Sequence, residues 1–153
     1  MTLLLHRFAA LVAILCVAMF FSATLLVEIF GDTTTIATVK SLIVSPGLFI
    51  LVPSIALTGG SGFALAKSRN GKLTQLKKRR MPIIGANGIV VLIPCAILLD
   101  HWASAGMLGT HFYIVQSIEL LAGGINLILM AMNIRDGRRI HTKLSVRPMF
   151  ERL

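Results

Sequence analysis

The chain has 153 residues, 56% of them hydrophobic, a mean hydropathy of +0.84, a formal net charge of +9 and two cysteines. Apolar content this high excludes an ordinary soluble domain and points to one compact membrane domain spanning residues 1–153. The charge follows the hydrophobic map, so it implies no nucleic-acid partner. Arg7, seven residues between Lys67 and Arg80, and six between Arg135 and Arg152 share one side of the map, and only Lys40 falls on the other.

Four apolar stretches run over about 8–30, 42–66, 82–103 and 112–134, each near the roughly 20 residues a helix needs to cross a bilayer core. Helix 1 follows His6 and Arg7 and ends near Glu28 and Gly31; Asp32 and three threonines read as a short outer loop. Helix 2 carries Pro46 near its start and Pro53 inside it, and Pro53 predicts a kink. A basic cytoplasmic loop, 67–81, turns at Asn70-Gly71, and Pro82 opens helix 3 where a missing N–H costs nothing. Helix 3 ends at His101 and Trp102. Helix 4 begins at His111, Phe112 and Tyr113 and stops before Gly137, which reads as a C-cap ahead of a basic cytoplasmic tail, 135–153. The expected fold is an all-α, up-down-up-down four-helix transmembrane bundle in a bacterial inner membrane. The positive-inside pattern places both termini in the cytoplasm.

Polar residues in hydrocarbon are costly, so their spacing marks the faces that turn inward. Tyr113, Gln116, Glu119, Gly123, Asn126, Met130 and Asn133 form one stripe on helix 4. Asn87, Pro94 and His101 share a face of helix 3. Ser54, Thr58, Gly62 and Ala66 recur at intervals of four on helix 2, where small residues let helices approach, and Gly123 does the same on helix 4. Glu119 lies about 10 Å below the outer edge at 1.5 Å per residue, where a carboxylate must pair, titrate or face water. His101, His111, Asp100, Glu28 and Gln116 gather toward the same outer end. They form either a polar packing cap or a small site for a divalent metal, haem or proton-coupled substrate, with His101 or His111 the expected partner of Glu119.

The layout resembles a family of small four-helix bacterial membrane proteins that includes the copper-resistance CopD type and the haem-associated HemJ type. The residues that carry the resemblance are His6, Ser45-Pro46 opening helix 2, and Phe112-Tyr113 with Glu119 inside helix 4. The resemblance implies haem b as a cofactor and His6 as its ligand. Three functions follow in order: a non-catalytic membrane subunit or scaffold, a haem- or metal-binding redox protein, and a small oligomeric transporter or channel. The expected partners are the bilayer, anionic lipid headgroups on the cytoplasmic side, and other membrane subunits or further copies of the chain.

Overall fold

The computed structural model describes residues 2–66 and 72–150, all helix or short connection, and no strand occurs among them. Four helical stretches are long and apolar enough to cross a membrane: Leu3–Phe30, Thr33–Gly62, Arg79–Ser104 and Thr110–Arg138.

Helix α1 (Thr2–Phe30) shows why the molecule suits lipid. His6, Ala9, Ala13, Val17 and Thr24 recur at helical spacing and are buried, while Leu4, Phe8, Leu11, Leu15 and Met19 are exposed. Small residues inside let helices approach closely, and large apolar ones outside need a hydrocarbon solvent. The inward face of α1 packs mainly on α3 (Phe49–Ala66).

The second stretch starts earlier than the apolar run suggests. Helix α2 (Thr33–Leu42) begins at Thr33 and not near residue 42, because Asp32 caps it by accepting from the Thr35 backbone N–H at 2.8 Å. A wide, π-type segment, Ile43–Leu48, separates α2 from α3; Ser45 leaves the helical region there (φ −136°, ψ 114°), and the Ser45–Pro46 peptide is cis. The non-helical residue is Ser45, before Pro46, where a residue preceding proline disfavours helical geometry, whereas Val52 and Pro53 stay inside α3.

The third stretch is also built in two pieces, α4 (Lys72–Asn87) and α5 (Ile93–Ser104), joined by a π-type segment over Gly88–Leu92. Pro94 has no N–H for the Val90 carbonyl and its ring crowds that turn, which gives the widening a cause. Pro82 does not open this stretch; it sits within α4, which starts at Lys72. The turn expected at Asn70-Gly71 lies outside the described residues.

After a turn at Gly106, whose φ of 70° suits glycine, α6 runs without a break from Thr110 to Phe150. Gly137 is therefore not a C-cap, and the tail to residue 150 is helical. Glycine in a helix interior costs only about 1 kcal/mol, which flanking helix formers absorb. At 1.5 Å per residue α6 is about 60 Å long, twice the roughly 30 Å hydrocarbon core.

Cross-links fix how the stretches run. His6 meets Ser61 and Thr24 meets Lys40, so the first and second stretches are antiparallel. Arg80 meets Asp136 and Asn87 meets Asn126, so the third and fourth are as well. One apolar core, around Ala13, Val17, Leu51, Ile84 and Met130, fills the middle. A second, around Ile36, Leu99, Ala103 and Phe112, lies toward the end that carries the 31–32 and 105–109 connections, the loop end.

Candidate functional site at a buried ion pair

Ile36, Lys40, Ile43 and Gly47 are the buried residues of the α2 region, at spacings of four, three and four. Lys40 thus lies in the middle of an inward apolar stripe, and its side chain is 0% exposed. A bare ammonium there would be prohibitive, and the structure supplies a counter-charge. Lys40 Nζ donates to Glu119 Oε2 at 2.6 Å and to Thr24 Oγ1 at 3.4 Å. Gln116, one turn before Glu119, donates from Nε2 to the same Oε2 at 3.3 Å. Helices α2 and α6 therefore meet at one carboxylate oxygen, and α1 joins them through Thr24 at the Lys40 ammonium.

Glu28 stands within electrostatic reach of Lys40 and Glu119, and Cys95 of α5 is within reach of the same pair. Two acceptor atoms here are buried without a hydrogen-bond partner: Glu28 Oε1 and Gln116 Oε1. Below the pair a cavity of about 50 Å³ opens, walled by Val17, Phe20, Phe21 and Leu120, with Thr24 and Glu119 its polar lining.

The sequence expectations divide at this point. Glu119, Gln116 and Glu28 do come together. His101 and His111 do not join them; both are exposed, and the partners of Glu119 are Lys40 and Gln116. Asp100 is half-buried and accepts from Ser104 Oγ on its own helix at 3.5 Å. Tyr113 leaves the helix 4 stripe: it is 48% exposed and packs edge-on against Phe112, which is buried in its place. Asp32, at the head of α2, is outside the spans. The Thr35 hydroxyl, then the Thr35 N–H, hold its carboxyl down at about 2.

Lys40 is the residue that the sequence reading missed. Its signal was the spacing to Ile36 and Ile43, which sets it on the inward face of a helix that the polar Thr33-Thr34-Thr35 run seemed to exclude.

Two further polar layers cross the bundle. In the middle, Asn87 Nδ2 donates to Asn126 Oδ1 and to the Ala122 carbonyl, both at 2.9 Å, and Asn126 returns a bond to the Ile84 carbonyl at 3.4 Å. At the far end Arg80 binds the 3%-exposed side chain of Asp136 at 2.7 Å, and Arg135 approaches the same carboxylate at 3.6 Å. There too His6, buried, meets Ser61 at 3.0 Å. Ser61 Oγ also donates to the Leu57 carbonyl on its own helix.

In the small-residue stripe on α3, close approach is clear at Gly62. A side chain at Gly62 would collide with Met81 and press on His6, so α3 approaches α4 and α1 closely there. Ser54 and Thr58 are half-buried and turn their hydroxyls back onto the Ile50 and Ser54 carbonyls, each at 2.7 Å. The Ala66 side chain lies outside those described. Gly123 rests against Phe21 of α1. Among the described residues no three His, Cys, Asp or Glu side chains gather as a metal site.

Comparison with models of protein families, with curated proteins and with solved structures finds no match to this chain.

Proposed function

We propose that this chain is a multi-pass protein of a bacterial-type inner membrane, with both termini cytoplasmic, serving as a non-catalytic membrane subunit or scaffold. One observation carries the reading: four pairs of polar side chains within the spans bond across helices. Lys40 with Glu119, Asn87 with Asn126, Arg80 with Asp136 and His6 with Ser61 tie the four long stretches at three depths. Such groups are used in assembly, where an unpaired polar atom in hydrocarbon would cost several kcal/mol, on the order of the marginal stability of a domain. The basic residues at the chain ends and the central loop support the orientation and favour anionic headgroups on the cytoplasmic leaflet. The broad exposed apolar faces suit lipid and neighbouring subunits.

The test replaces Lys40→Met and Glu119→Leu together in cells that lack the native chain. A scaffold keeps its membrane level and restores the cells, because a matched apolar pair packs as well as the ion pair. A double variant that accumulates normally and fails to restore them would show that the charges do more than hold the helices.

A further inference from the structure

The charges at the Lys40 layer do not balance. Lys40 and Glu119 neutralise one another at 2.6 Å, and Glu28 adds a second carboxylate within their electrostatic reach. Its Oε1 is buried and bonded to nothing. Gln116 supplies an independent sign of a missing occupant. It is 3% exposed, its Nε2 is committed to Glu119, and its Oε1 is buried without a donor. Both orphaned atoms are acceptors, so what they lack is a donor or a cation. Lys40 has used two of its three protons, on Glu119 and Thr24.

We infer that Glu28, Gln116 and Glu119 form a binding site for one monovalent cation, with Lys40 as the fixed charge that sets the site's capacity at one. The count follows from the charges. Two carboxylates and one ammonium leave a single negative charge, which one monovalent cation cancels. A divalent ion would leave a buried positive excess and would seek six or more oxygens. Oxygen acceptors suit a hard ion or a proton, and not a soft metal. Glu28 lies one turn beyond Thr24 on α1 and Gln116 one turn before Glu119 on α6, so both stand on the loop-end side of the ion pair, opposite the apolar cavity. The charged groups within electrostatic reach of Glu28 are Lys40 from α2 and Glu119 from α6, with Cys95 of α5 within reach of that pair. This site is independent of the scaffold reading, because it is measured as binding in purified protein and not as restoration of cells.

The experiment follows the thermal midpoint of detergent-purified full-length protein in two series. In the first, sodium replaces choline at constant ionic strength and fixed pH. In the second, pH runs from about 9 to 5 without sodium, a range that brackets a buried carboxyl. Wild-type protein should be stabilised in one of them. A sodium response identifies an alkali ion, and a response to acid alone identifies a proton. Glu28→Gln removes the excess charge and should flatten whichever response is seen. Gln116→Leu keeps all charges, removes one oxygen, and should weaken a sodium response. Titration of sodium into wild-type protein by calorimetry gives a readout that needs no folded variant. The inference is overturned if wild-type protein responds to neither series, or if Glu28→Gln follows it in parallel through both.

Discussion

Asp32 and Lys40 show opposite ways in which one helix fixes a charge. Asp32 is exposed and holds the start of α2 through Thr35. Its carboxyl sits at about 2 in the folded chain, below the ordinary value near 4. The capping contribution is therefore complete above about pH 4 and is lost as pH falls toward 2, the direction required when folding depresses a carboxyl. Asp32→Asn keeps an oxygen acceptor that does not titrate, so the acid limb of a melting-temperature profile should flatten between about pH 4 and pH 2. Lys40 is held by burial, and its role was hidden in the sequence. A single lysine near an apparent loop reads as a surface charge, and only the partner 79 positions away in the chain makes its burial affordable. Glu119 was legible as a carboxylate needing a partner. The partner was not, because pairing between distant helices leaves no local spacing to read.

At the scale of elements, apolar length alone located the four spanning stretches, since crossing a bilayer sets a length that composition must meet. It could not locate the ends. Thr33 to Leu42 and the residues after Arg135 are polar enough to look like connections, yet a cap and ordinary helix formers keep both helical. The small-residue pattern on α3 picked out the glycine that makes the contact, though not the side chains it meets. Gly62 lies against Met81 and His6, whereas a side chain at Gly60 meets nothing within 4 Å. Gly62→Leu should thus destabilise the bundle in detergent by about 1–3 kcal/mol, since the leucine presses on the His6 ring even after the flexible end of Met81 swings aside. Gly60→Leu should leave the melting temperature unchanged or raise it slightly. Equal loss from both substitutions would mean that the helix tolerates leucine poorly anywhere on this face, and that close approach at Gly62 is not the cause.

For the whole molecule, the orientation proposed from the basic residues gives a sharp outcome. A reporter fused after Leu153 should signal cytoplasm, and reporters inserted near Thr34 and Gly109 should signal the opposite side. A cytoplasmic signal at Gly109 would remove the four-crossing arrangement. The central claim is that paired polar side chains hold the helices together, with Lys40 and Glu119 the strongest tie. Neutral bonds such as Asn87 to Asn126 are worth only about 1 kcal/mol between membrane helices, whereas an abandoned charge costs roughly 3 kcal/mol. A double-mutant cycle in detergent on Lys40→Met and Glu119→Leu measures that tie directly. Lys40→Met should lose about 3–5 kcal/mol by stranding carboxylates, Glu119→Leu should lose less because Glu28 stays within reach of Lys40, and the double variant should lose less than the two single losses added. Single variants as stable as wild type, or losses that simply add in the double variant, would contradict the account.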